Sequence, residues 1–170
     1  MKRFILILYF SLFMVTLNGQ REFSVPQLTD LQKYQNAAIQ WNGSWLMQIS
    51  YAKSLGRSVG DVAGFVGEQI KVTFDNAAGF NGFVQGMLYT MVSLVPYGSV
   101  EIIHQTDNEI VYKVTGLYAD LREGGSVFNV TWEDYLTFLQ TIYTKAADYV
   151  GANYSQEDKD EGLIVTIRKK

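Results

Sequence analysis

Cysteine is absent from this 170-residue chain, histidine occurs once and proline twice. Without thiols there is no disulfide framework, no thiol nucleophile, no thiolate metal site and no covalent haem attachment. A single histidine also excludes a metal site built from several imidazoles. We therefore expect a protein that is stabilised by packing and that carries no metal or cofactor.

The first 19 residues have the pattern of a secretory signal peptide. Met1, Lys2 and Arg3 form a basic start, and residues 4–17 are an apolar run, shorter than the about 20 residues of a membrane span. We expect cleavage after Gly19; an uncleaved membrane anchor is the alternative, and the lack of cysteine excludes a lipoprotein anchor at this junction. The pattern predicts an exported protein, periplasmic or secreted, with no membrane span after cleavage and one domain over residues 20–170.

Positive charge is also scarce, because 14 Lys and Arg stand against 17 Asp and Glu, for a formal net charge of −3. An acidic surface repels phosphate backbones, which argues against nucleic acid as a partner. Aromatic residues are abundant instead, with 11 Tyr and 10 Phe. Such a composition is typical of a large core or of an apolar pocket.

Apolar residues at three- and four-residue steps predict helices in the first half of the chain and again near the end. The first helix runs from Leu28 to Gly56, and Asn42-Gly43-Ser44 either breaks or kinks it. The predicted helices that follow cover residues 58–74, 80–94 and 131–150. Ser58 with Asp61, and Thr131 with Asp134, have the spacing of capping boxes.

The strands are predicted late in the chain. Ser99–Gln105 and Glu109–Thr115 form a hairpin around Thr106-Asp107-Asn108, with Ile110, Tyr112 and Val114 on one face. The connection 116–127 carries a helical turn or acts as a flap. Residues 155–161 are predicted to be an acidic turn, and residues 162–168 a last strand. The fold class is therefore α+β: helices first, then an antiparallel hairpin, a long helix packed across it and a final strand that completes a small antiparallel sheet.

Three glycines, Gly60, Gly64 and Gly67, lie on one strip of the second helix. Each costs roughly 1 kcal/mol of helix propensity relative to alanine. We therefore expect another backbone, or a ligand, to approach this strip closely.

The order of elements resembles the later half of vinyl-reductase-type, TRAPP-like α/β domains. The stretch 52–58, AKSLGRS, followed by 62–66, is similar to the L-2-amino-thiazoline-4-carboxylate hydrolase-like family. Over residues 40–168 the resemblance implies a small-molecule pocket between the helices and the sheet. Hydrolase activity in that family is associated with a cysteine, which is missing here, so the resemblance is carried to the fold and not to the reaction.

Few residues of the sequence are candidates for a catalytic role. His104, near Glu101, has the properties of a general base, although a surface histidine on a hairpin is the commoner case. Ser93, Ser99 and Ser126 have no nucleophile motif around them, and the acidic residues lack calcium-loop spacing. The rings of Trp45, Tyr51, Tyr89 and Tyr112, together with His104, are the candidate ligand-binding residues, with ordinary core packing as the alternative.

The sequence therefore favours an exported protein that binds a small, largely apolar molecule in a cavity between the Phe80 helix and the hairpin, without covalent chemistry. One alternative is a hydrolase of a cyclic amide or amidine, with water activated by His104 or by a buried carboxylate, so catalysis is left open. The other is an interaction module that presents Gly60, Gly64 and Gly67 to a partner or to a second copy.

Overall fold

The computed structural model describes residues 26–159 and 162–170, so the predicted signal peptide lies outside the described residues. Three helices come first, followed by a β-hairpin, a long helix and a second hairpin, and the predicted α+β class is confirmed. The helices are α1 (Asp30–Ser54), α2 (Val59–Ile70), α3 (Gly79–Leu94), α4 (Ala119–Gly124) and α5 (Trp132–Tyr149). The strands are β1 (Val100–Gln105), β2 (Glu109–Val114), β3 (Ser126–Val127), β4 (Val130–Thr131), β5 (Ala152–Lys159) and β6 (Gly162–Lys169). The 3₁₀ turns Lys71–Thr73 and Asn76–Ala78 connect α2 to α3.

The main sheet is antiparallel and has the order β1-β2-β6-β5, while β3 and β4 form a separate short pair. The predicted pairing of the last strand with the first hairpin is confirmed by the β2–β6 ladder. The predicted acidic turn over residues 155–161 is wrong for its first part, because β5 continues through Lys159. Ala152 and Tyr154 alternate inwards while Glu157, Asp158 and Lys159 face solvent, as on a charged edge strand. The charged residues at the end of β5 made its alternation hard to recognise in the sequence.

Helix α5 is the centre of the core. Thr131 and Asp134 form the predicted capping box, and the helix packs across the sheet. The prediction that Ile110, Tyr112 and Val114 share one face of β2 is confirmed, and the structure shows that this face is buried. The fully buried side chains of α5 are Tyr135, Phe138, Leu139, Ile142, Tyr143, Ala146 and Ala147. Strand β5 of the sheet packs against one part of this helix, and α2 packs closely against another.

Helix α1 continues unbroken through Asn42-Gly43-Ser44, which decides between the two predicted outcomes. The reason is the side chain of Asn42, which is 2% exposed. Its Nδ2 donates to the Leu94 carbonyl at 3.0 Å, and its Oδ1 accepts a hydrogen bond of 2.7 Å from the Tyr135 hydroxyl. An asparagine held by other elements does not compete for its own backbone, so the helix is not interrupted.

Helix α2 packs on α5 through its glycine strip. A Cβ added at Gly67 would lie 3.2 Å from the backbone Cα of Ile142 and 2.7 Å from Lys145 Cδ, whereas one at Gly64 would lie 3.9 Å from Lys145 Cε. The predicted close approach of a backbone is therefore confirmed, and the backbone belongs to α5 of the same chain. Gly67 is buried in this contact, whereas Gly64 is half-buried and Gly60 is exposed, so α5 covers only part of the strip.

Helix α3 buries Phe83, Met87, Met91 and Leu94 and leaves its opposite face open. Tyr89 is 75% exposed and Val92 is 53% exposed. The sequence has no charged residue from Asn76 to Ser99, so the solvent face of this helix carries no charge. Uncharged polar and aromatic side chains occupy its solvent face instead.

We expect Asn42→Ala to lower the free energy of unfolding by about 2–4 kcal/mol. The change leaves the buried Tyr135 hydroxyl and the Leu94 carbonyl without their partner. Urea unfolding followed by circular dichroism measures the loss. Asn36→Ala, at an exposed position of the same helix, is the control and should stay within about 0.5 kcal/mol of wild type.

Two alanine substitutions on α2 should have opposite signs. Gly64→Ala has room for its methyl group and should raise the free energy of unfolding by up to about 1 kcal/mol through helix propensity. Gly67→Ala meets the α5 backbone and should lower it by about 1 kcal/mol despite the same gain in propensity. Thermal unfolding of both variants tests the α2–α5 packing; equal stabilisation by the two would contradict it.

Candidate functional site

A groove of about 480 Å³ lies where the end of α1 meets the start of α2, and we call it the α1–α2 groove. Its walls are mostly apolar. The lining residues are Gln48, Tyr51, Ala52, Leu55, Arg57, Asp61, Val62, Phe65 and Val66. A concave, apolar surface with a few polar groups at its margin is typical of a site for a small molecule.

The corner between the two helices fixes the shape of the groove. Gly56, which follows the C-cap residue Leu55, takes a left-handed conformation with φ of +71°, and the Arg57 amide donates back to the Ala52 carbonyl at 3.0 Å. The Ser58 side chain then accepts from the Asp61 amide, and the Asp61 carboxylate accepts from the Ser58 amide. The predicted capping box is therefore confirmed, and it starts α2 two residues after the glycine turn.

Large apolar side chains of the groove are open to solvent. Tyr51 is 67% exposed, Leu55 60% and Phe65 68%, while Ala52 forms a buried part of the floor. Phe65 has the helical periodicity of a core residue, but α5 covers only the side of α2 that carries Ala63 and Gly67. Exposed apolar groups gathered on a concave surface are characteristic of a binding site.

The charged groups at the groove are Arg57 and Asp61. The hydrogen bonds with Ser58, and to a smaller extent the charge of Arg57, hold the pKa of Asp61 below its usual value. Asp61 therefore stays ionised at neutral pH and is engaged in the helix cap. The lining residues include no histidine or serine, and Asp61 is the one carboxylate among them.

Two further grooves flank the connection after β2. One, of about 440 Å³, is lined by residues that include Arg122 and Trp132. There Asp158 accepts hydrogen bonds of 2.8 Å from both Arg122 and the Trp132 indole. The other, of about 260 Å³, includes Asn42 and Tyr118. The polar side chains of these two grooves mainly form contacts within the protein. The α1–α2 groove is therefore the better candidate for a binding site.

The structure does not bring the five predicted site residues together. Tyr51 alone lines the α1–α2 groove. Trp45 packs against Phe138 with ring centroids 5.7 Å apart, and Tyr89 lies on the solvent face of α3. Tyr112 is fully buried in the core, where desolvation raises the pKa of its hydroxyl.

His104 lies on strand β1, where its side chain is 55% exposed, and it lines none of the three grooves. Its Nε2 atom is 3.9 Å from the Glu109 carboxylate, which is too long for a hydrogen bond. Glu101, the predicted neighbour, is on the same strand three positions earlier. None of these three grooves therefore places a substrate beside this imidazole.

The predicted position of the cavity, between the Phe80 helix and the hairpin, needs correction. Buried residues of α3 and of β2 belong to one contiguous core cluster, and no residue of α3 lines any of the three grooves. The sequence approach missed Leu55, Arg57, Val62, Phe65 and Val66 as lining residues. The available signal was the turn Gly56–Ser58, because the lining residues lie just before and just after it.

Within residues 26–159 and 162–170, none of the helices has the length and hydropathy of a membrane span. No group of three or more His, Asp or Glu side chains in the same part of the chain could hold a metal ion.

No protein-family model matches this chain, and a search of curated proteins finds no similar sequence. The resemblance to the thiazoline-carboxylate hydrolase-like and TRAPP-like families stays a prediction.

Ion pairs stabilise the position of α2, which forms one wall of the groove. Lys145 on α5 donates to Glu68 at 2.7 Å, and Lys71 also binds that carboxylate. These hydrogen bonds lower the pKa of Glu68 from its usual value near 4.5 to about 2. A carboxylate with a lowered pKa stabilises the folded state above its unfolded pKa and loses that effect as the pH falls through the folded value.

We therefore expect Glu68→Gln to unfold at lower urea concentration than wild type at neutral pH, with the difference closing as the pH falls from about 4.5 to about 2. Urea midpoints measured across this range give the comparison. Glu123→Gln, an exposed glutamate on α4, controls for the loss of one negative charge. A difference between wild type and Glu68→Gln that is independent of pH would contradict the assignment.

Proposed function

We propose that this is an exported protein that binds a small, largely apolar molecule in the α1–α2 groove, without a covalent step. The observation that carries the proposal is the exposure of Tyr51, Leu55 and Phe65 on one concave surface. Covering these side chains with a ligand would remove apolar area from water, and each Å² is worth about 25 cal/mol.

The volume and the polar margin of the groove support a ligand of modest size. About 480 Å³ falls in the range of small-molecule sites. Gln48 and the hydroxyl of Tyr51 provide hydrogen-bonding groups beside the apolar wall, and Arg57 provides a positive charge. A ligand with an apolar body and one polar or anionic group fits this chemistry.

The absence of a covalent step is inferred from the groups that are present. The only imidazole of the chain is on β1, outside the groove, and the one lining carboxylate is engaged in a helix cap. Export is inferred from the basic and apolar residues 1–17 and the small polar residues after them.

N-phenyl-1-naphthylamine, an apolar dye that fluoresces when it leaves water, tests the groove. We expect the protein to enhance its fluorescence in a saturable manner, and Phe65→Glu to weaken binding by at least about tenfold, since it places a charge in the apolar wall. Phe65 is exposed, so the substitution should leave the fold intact, which circular dichroism checks.

Tyr89→Glu is the matched control, because Tyr89 is an equally exposed aromatic residue outside the grooves. It should bind the dye as wild type does. If both variants weakened dye binding equally, the dye would be binding to exposed apolar surface in general, and the proposal would fail. Native mass spectrometry of protein purified from its own host then identifies a bound molecule, which Phe65→Glu should lack.

A further inference from the structure

Strand β1 is an edge of the main sheet and is open on both of its faces. Among residues 26–159 and 162–170 it pairs only with β2, and every residue from Glu101 to Gln105 is exposed. Ile102 is 47% exposed and Ile103 is 57% exposed. The opposite edge, β5, ends in Glu157, Asp158 and Lys159 and is protected by charge. An edge strand with exposed apolar residues is a template for pairing with another strand.

A β-bulge decides which side chains of β1 share a face. Ile102 is opposite Tyr112 and His104 is opposite Val111, so Ile103 is an additional residue in the ladder. Glu101 is opposite Lys113, two residues from Val111 on β2. Residues two apart on a strand point to the same side, so Glu101 and His104 lie on one face of the sheet although they are three apart.

The direction of the backbone groups follows from two hydrogen bonds at the ends of β1. The Ser99 carbonyl accepts from the Thr115 amide at 2.9 Å, and the Thr106 amide donates to the Glu109 carbonyl at 2.8 Å. Backbone groups alternate along an antiparallel ladder, so Glu101 and His104 also turn theirs towards β2. Val100, Ile102 and Gln105 therefore turn their amides and carbonyls outwards, to the open edge.

We propose that β1 pairs antiparallel with β1 of a second copy around a two-fold axis perpendicular to the sheet. Glu101 then lies opposite the partner's His104, and Val100 opposite the partner's Gln105. The outward backbone groups of Val100 and Gln105 make the inter-subunit hydrogen bonds. Glu101 and the partner's His104 form a non-hydrogen-bonded pair, the position at which side chains across a ladder approach most closely.

Complementary side chains favour a second copy over an unrelated strand. The imidazole of His104 has a nitrogen that is too far from Glu109 to donate to it, and in this register it meets the partner's Glu101. Symmetry makes the same contact twice, and it places Ile102 beside the partner's Ile103. In this register the backbone directions of Val100 and Gln105 match, as do the faces of Glu101 and His104, and the result is a continuous eight-stranded sheet. The contact involves one short strand from each copy, so we expect association that depends on concentration.

Sedimentation equilibrium of the purified protein, from micromolar to millimolar concentration, measures this dimer. We expect His104→Glu to weaken it by about tenfold, because two pairs of carboxylates then face each other, and Glu101→Lys to weaken it similarly. The double variant Glu101→Lys/His104→Glu restores opposite charges and should recover the affinity of wild type. Lys159→Glu on β5 is the control and should leave association unchanged.

Amide hydrogen exchange by NMR locates the contact. The amides of Val100 and Gln105 should gain protection as the protein concentration rises, whereas the amide of His104, already bonded to β2, should not change. A protein that is monomeric throughout the range overturns the proposal. So does a dimer that His104→Glu leaves intact, or one that the double variant fails to restore, since association would then use another surface.

Discussion

The hydrogen bonds of one buried asparagine hold the helical half of this protein together. Asn42 joins the middle of α1 to the last turn of α3 through the Leu94 carbonyl and to α5 through the Tyr135 hydroxyl. Because all of these groups are buried, each would be left unsatisfied if α1 shifted along its axis. The constraint fixes the position of α1, and with it the position of the α1 wall of the groove.

The second wall depends on close packing rather than on hydrogen bonds. Helix α2 lies against α5 at a distance that only glycine permits at Gly67, and Lys145 reaches over it to Glu68. The turn at Gly56 then places the start of α2 next to the end of α1. The groove thus forms between two helices that pack on α5. The turn that joins them is too short to fill the angle between them.

Much of the fold could be predicted because its determinants are local. Capping boxes at Ser58 and Thr131 mark helix starts within a few residues, and alternation marks the buried face of β2. Strand β5 could not be predicted, because its outward charges on an edge look like a turn until the β6 ladder is known. The candidate site was predicted only at Tyr51. Phe65 has the same periodicity as a core residue, and only the arrangement of α2 on α5 decides which apolar residues remain uncovered.

The sequence by itself determined the chemistry that is available: no thiol, a single imidazole, more acid than base, and many rings and glycines. It also determined the order of helices and strands, since caps, turns and periodicity act over a few residues. Only the tertiary structure decided whether Asn42 breaks a helix or ties three together, and which aromatic residues are core or surface. The physical reason is that burial is a property of contacts between distant segments, whereas propensity and capping are properties of neighbours in the chain.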